Sequence, residues 1–204
     1  MTDPKGWPKY LPTKQTLTNR VLRWFDKASE RDLIDGVRWY DEQRAFCQTL
    51  ASLPDFHGDT LGLERAAEVV AALSPRTQWS VNVAGATLLV THRETMPNLL
   101  GRNVEMAEAV LLGKRLAEVV KKGPKIQAFA KNLAGDTSVV TVDVHAAYAV
   151  GVDENTLDRV GCYDAVASAY RAAAVARGLE PSEMQAVVWL GARRQKLSEN
   201  RRRR

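Results

Sequence analysis

Residues 123–145 read G-P-K-I-Q-A-F-A-K-N-L-A-G-D-T-S-V-V-T-V-D-V-H, and the rest of the chain is organised around them. After the Gly-Pro turn, Ile126, Phe129, Ala130 and Leu133 recur at helical spacing, and Gly135 stands where a helix is expected to end. The pattern predicts a short helix. A small extended piece, Val139 to Val142, then delivers one acid, Asp143, with His145 two places on. An acid at a sharp exit from an apolar segment is held rigidly and only partly solvated, which suits catalysis. The same position suits an N-cap for a helix beginning near Val144, and the two roles are compatible because a cap at a cleft is already an oriented carboxylate.

The stretch resembles the centre of the helix-hairpin-helix DNA glycosylase superfamily, whose signature is a hairpin written L-P-G-V-G-x-K, a helix, and then V-D-x-H. Gly123 matches the second hairpin glycine, Lys125 the lysine, and Val142, Asp143 and His145 the V-D-x-H. Lys125 and Asp143 are eighteen residues apart, as expected for the endonuclease-three-like branch. Upstream, Leu73 to Asn82 reads L-S-P-R-T-Q-W-S-V-N and is similar to the family's L-S-x-Q-x-T-D-x-x-V-N, one residue shorter. The chain departs from the pattern in two places. Lys121 replaces the first hairpin glycine, after Val119-Val120 in place of Leu-Pro, and the interval from Asn82 to Gly123 is much shorter than in typical repair enzymes. A compact, divergent member is implied, similar also to phage proteins that elaborate thymine in DNA. The fold so implied is all-α and two-lobed, with a helix-hairpin-helix element and a DNA-binding cleft.

The composition agrees with a folded, DNA-binding chain. Its 204 residues, 45% hydrophobic and 26% charged, suffice for a sizeable core. A net charge of +5 and a pI near 9.3 favour a polyanionic partner. Lys114, Arg115, Lys121, Lys122, Lys125 and Lys131 gather around the proposed hairpin. The terminal run Arg201 to Arg204 reads as a disordered phosphate-binding tail, a cloning remnant or solubilising charge. No apolar run is long enough to span a membrane and no signal-peptide pattern opens the chain, so a cytosolic monomer is expected. Cys47 and Cys162 are too few for the iron-sulfur cluster that some members of the resembled family carry. His57, His92 and His145 lie in no metal-ligand spacing, so neither a metal nor another cofactor is expected.

Along the chain, residues 1–13 read as a proline-interrupted arm pinned by Trp7 and Tyr10. Helices follow from Thr16 and over Arg31 to Leu53, with Trp24, Phe25, Trp39 and Tyr40 on stripes that serve a core or stack bases. Residues 54–60 form a loop, from which Asp59 or Thr60 caps a central helix ending at Leu73. Further helices are expected near 77–91, 103–112, 114–120, 146–150 and 163–177, and from Pro181 onward. Residues 1–60 and 143–204 should share one lobe and residues 61–142 form the other.

The resemblance implies double-stranded DNA as the partner. Asp143 would stabilise the cationic sugar formed as a base leaves a flipped nucleotide. Lys125 would serve as an amine nucleophile or as a phosphate contact. Gly123, Lys121, Lys122 and Lys131 would grip the backbone, and Arg76 or Gln78 would probe the vacated stack. His145 would lie beside the acid, or be satisfied by backbone. Three readings stay open: excision of a damaged or modified base, modification of an extruded thymine derivative without base release, and binding without chemistry.

Overall fold

The computed structural model describes residues 3–54, 58–120 and 123–202 and, among them, is all-α. The helices are α1 (Lys14–Asp26), α2 (Glu30–Ala51), α3 (Leu63–Leu73), α4 (Trp79–His92) and α5 (Gly101–Leu111). They continue as α6 (Leu116–Val119), α7 (Pro124–Ala134), α8 (Val144–Ala149), α9 (Cys162–Arg177) and α10 (Pro181–Arg202), with a 3₁₀ turn at Glu154–Thr156. No described helix is long and apolar enough to cross a membrane.

Two compact units result. One joins residues 1–40 to 137–204; the other comprises residues 41–136. The sequence reading drew its seams at 60/61 and 142/143. The first seam of the structure falls inside α2, where the apolar period continues unbroken and gives no sign of a division.

In the first unit, α1, α8, α9 and α10 surround a core built on Leu17, Val21, Ala146, Tyr170, Met184 and Val188. Alanines dominate α9, and such small side chains let helix backbones approach closely. The terminal arm is fastened to this unit: Trp7 Nε1 donates to the Pro12 carbonyl at 3.0 Å and Tyr10 Oη to that of Val160 at 3.0 Å. The Arg159 guanidinium lies over the Tyr10 ring. The prolines thus stop helix formation without leaving the arm loose.

Ser29 and Asp32 start α2 as a reciprocal cap, with Ser29 N–H and Oγ donating to Asp32 Oδ2 and Asp32 N–H donating to Ser29 Oγ. Arg194 of α10 donates to the same carboxylate oxygen. Asp32 is 3% exposed, and the Arg194 hydrogen bond, reinforced by Ser29, holds its carboxyl below the usual range against the opposing cost of burial. A depressed folded pKa stabilises above the unfolded value near 3.9, and that contribution disappears as pH falls through the folded pKa. Asp32→Asn should therefore cost about 1 kcal/mol at neutral pH, because Asn retains the cap but not the charge, and Arg194 is largely solvated. In urea titrations this difference should hold down to about pH 4 and vanish only once pH has fallen through the lowered folded pKa, where the wild-type acid is neutral too.

In the second unit, α3 is the central helix, buried from Val69 through Leu73 and packed against α4, α5 and α7. Its final carbonyls lack helical partners and are served by buried asparagines: Asn82 Nδ2 donates to Val70 O at 3.1 Å, and Asn103 Nδ2 to Leu73 O at 3.4 Å and, in the turn just beyond the helix, to Pro75 O at 2.9 Å. Trp79 inserts between Phe46 and Phe129 with edge-on geometry. Neither Asp59 nor Thr60 caps α3. The chain reverses through a bridge between Pro54 and Thr60, and Leu61 N–H bonds Leu53 O, so Gly62, at φ 77°, becomes the cap residue.

Candidate functional site

Val140 and Val142, each 1% exposed, anchor the extended piece in the first unit's core. Among the described residues no strand pairs with it. Instead the Tyr163 hydroxyl donates to Val140 O at 3.0 Å and accepts Val142 N–H at 3.1 Å, replacing a ladder partner with one side chain. The chain then turns into α8 at Asp143. Its Oδ1 accepts the N–H groups of His145 at 3.0 Å and Ala146 at 2.8 Å, so Asp143 is the N-cap that the sequence suggested.

The second carboxylate oxygen is held from α10. Trp189 Nε1 donates to Asp143 Oδ2 at 2.9 Å. The Trp189 ring meets His145 edge-on at 6.2 Å and Trp39 at a tilt at 5.8 Å, and the Arg193 guanidinium lies 5.0 Å from its centre. Trp39 in turn packs edge-on against Tyr40, whose hydroxyl donates to Gln185 at 2.8 Å. Burial pushes the Tyr163 phenol up to about 12; it raises Tyr40 and Tyr170 as well, and the Asp143 charge adds to all three. At neutral pH all three are therefore uncharged phenols around the carboxylate.

This arrangement fixes a half-buried carboxylate with three N–H donors against aromatic rings. A carboxylate oxygen accepts two hydrogen bonds, and among the described residues Oδ2 receives only the indole, so one acceptor position remains. Chemically, the group can stabilise a cation or orient a water. Trp189→Phe should keep the ring contacts and remove the donor, costing about 1 kcal/mol of stability. If Asp143 acts in catalysis, the loss of orientation should lower kcat about ten-fold and leave KM nearly unchanged, which steady-state kinetics would resolve.

Of the other residues singled out from the sequence, His145 shares this site, whereas Arg76, Gln78, Gly123, Lys125 and Lys131 belong to the second unit. Lys121 and Lys122 lie outside the described residues. Gly123 is the N-cap of α7 and accepts the N–H groups of Ile126 and Gln127, with Pro124 in the first turn and Lys125 half-buried beside it. The helix before it is shorter than the expected 114–120: Gly113 takes φ 95°, and Arg115 N–H donates to Glu118 at 2.7 Å, setting the start at Leu116. Lys131 is exposed and lines a cavity of about 500 Å³ together with Glu64, Glu68, Arg115 and Asp136, a mixed rather than a basic surface. Arg76 and Gln78 are exposed in the loop before α4, and Arg76 adopts φ 59°, uncommon for a residue with a side chain. Asn82, the last residue of the upstream motif, binds backbone inside the unit and is not at the surface.

Sequence reading missed Trp189. It sits 46 residues beyond Asp143, next to the apolar stripe of α10, and an aromatic there is indistinguishable from core. Trp39 and Tyr40 were singled out as aromatic, and their neighbours resolve them as the wall behind this acid.

No curated protein and no solved structure matches the chain. A family profile matches residues 9–196, nearly the whole sequence, and the chain belongs to that family, described as a family of unknown function (DUF7178).

Proposed function

We propose that the protein is a DNA glycosylase-like enzyme acting on a flipped-out damaged or modified base in double-stranded DNA. The observation that carries this reading is the Asp143 carboxylate, fixed by two backbone amides and the Trp189 indole and retaining an acceptor position on Oδ2. Breaking the glycosidic bond sends its electron pair out with the base and leaves a sugar with oxocarbenium character. An ionised carboxylate close to that sugar lowers the barrier. Water then adds to the sugar. Addition of the neutral Lys125 amine to C1′ instead, followed by loss of its protons and breaking of the C1′–O4′ bond with O4′ leaving as a hydroxyl, would give a Schiff base, and that step is supported by the resemblance alone. The phosphate grip is assigned to the turn before α7, with Gly123 and Lys131, and the probe of the vacated stack to Arg76 or Gln78. The positive φ of Arg76 supports the probe role, since backbone strain concentrates at functional loops.

A second reading, transfer of a group to an extruded thymine derivative with the glycosidic bond intact, is favoured by the short interval between Asn82 and Gly123. One experiment separates them. Duplexes carrying damaged and thymine-derived bases are incubated with the protein and borohydride, and strand and free base are analysed by mass. Released base, or an adduct lost in Lys125→Ala, supports excision. Failure to release any base would sink the excision reading, and an altered strand would select modification.

A further inference from the structure

The first unit contains a cavity of about 700 Å³ between α1, the start of α2 and α10, within the size range of small-molecule sites. Arg20, Arg23, Lys27, Arg194 and Arg202 line it against two acids, Asp32 and Glu199, an excess of three positive charges. Two of the cations are committed. Arg194 is paired with the buried Asp32, and Arg20 Nη1 donates to Val150 O at 2.6 Å across Gly151, where a Cβ would lie only 2.9 Å from that nitrogen. Among the described residues, Arg23, Lys27 and Arg202 have no carboxylate partner. Trp24, half-buried and packed at 6.1 Å from Tyr148, supplies an aromatic wall.

Gly191 lines the same cavity in the middle of α10, where glycine costs about 1 kcal/mol relative to alanine. Packing does not demand it: a Cβ there would meet Trp24 at 3.5 Å, ordinary van der Waals contact. Its effect is to keep the space beside the indole open. The helical period also separates this face, with Gly191, Arg194, Ser198 and Arg202 spaced by threes and fours, from that of Trp189 and Arg193 at Asp143.

From these features we infer that the cavity binds a free nucleotide, its phosphate held by Arg23, Lys27 and Arg202 and its base against Trp24. A phosphate monoester carries nearly two negative charges at neutral pH, which suits the excess of three. Arg guanidinium groups match phosphate oxygens in pairs, and an indole face stacks a planar base. A nucleic-acid backbone fits less well, because the two carboxylates interrupt the basic lining. For a nucleotide they are useful, since Glu199, already bonded by Tyr148 and Gln195, is an acceptor for sugar hydroxyls or base N–H groups.

The test is calorimetric titration of the full chain with adenosine 5′-monophosphate, inorganic phosphate, adenosine and an undamaged DNA duplex. The monophosphate should bind at least ten-fold more tightly than phosphate or adenosine. Arg23→Gln with Lys27→Gln, both at exposed positions, should weaken it at least ten-fold, whereas Asp143→Asn should leave it unchanged. Equal affinity for phosphate and monophosphate would overturn the inference, as would full affinity in the doubly substituted protein. Loss of duplex affinity in that protein, with no monophosphate binding to the wild type, would identify the surface as a DNA backbone contact and overturn it too. Because only binding is read, failure here leaves the activity proposed for Asp143 standing, and the reverse.

Discussion

Asp143→Asn is expected to reduce base release by about a thousand-fold or more while leaving duplex affinity nearly unchanged. The expectation rests on how the two oxygens are used. Oδ1 caps α8 by accepting two backbone N–H groups, and asparagine caps helices about as well as aspartate. What asparagine removes is the negative charge, together with the acceptor for Trp189 Nε1–H, and the stabilisation of a developing sugar cation by a fixed charge is worth several kcal/mol in a partly dry site. Asp143→Ala separates the structural role from the chemical one. It removes the cap, at about 1 kcal/mol, and strands the Trp189 N–H, at about 1–3 kcal/mol if that donor finds no water. Turnover should therefore fall equally in both variants; both strand the indole N–H and lose stability, and the alanine should lower the melting temperature further by the lost cap. Single-turnover assays on a damaged duplex and thermal melts of the three proteins check this. Unimpaired turnover in Asp143→Asn would remove the residue from the mechanism.

Much of this site was legible because its signals are local. Asp143 follows an apolar segment and precedes a helical run, so its role as a cap is written within four residues, and Gly135, at φ 111°, ends α7 where the spacing placed it. The helices were legible for the same reason, since amphipathic period and terminal glycines and prolines act over a few turns. What sequence could not show depends on partners far along the chain. Trp189 reaches Asp143 from α10, Arg194 reaches Asp32 across 162 residues, and a tyrosine hydroxyl stands in for a strand. No periodicity encodes such pairings. The cap of α3 failed for a related reason: Asp59 and Thr60 have the right chemistry, but hydrogen bonds from Leu61 and Gly62 back to Leu53 and Ala51 fix the turn and pass the cap position to a glycine. The cationic cavity was equally hidden, because its residues come from four helices and its charges, read singly, look like solvated faces.

Gly36→Ala should destabilise the protein by about 2 kcal/mol or more, the opposite of what helix propensity predicts. Within an exposed helix, alanine in place of glycine gains up to about 1 kcal/mol. Gly36 is buried in α2 against α10, and a Cβ built there would lie 2.6 Å from Val187 Cα and 2.7 Å from its backbone nitrogen. Backbone cannot rotate away as a side chain can, so one helix must shift, and overpacking of this kind typically costs 1–3 kcal/mol. The control is Gly191→Ala, where the nearest atom is a Trp24 ring carbon at 3.5 Å and the propensity gain should appear as a higher melting temperature. The two substitutions, identical in chemistry and both within helices, should thus move stability in opposite directions. The site should report the strain as well. Val187 stands two residues before Trp189, so a displaced α10 carries the indole away from Asp143, and base release in Gly36→Ala should fall further than the lost folded fraction explains. A Gly36→Ala protein as stable as wild type would show that α2 and α10 do not meet through the backbone at this glycine.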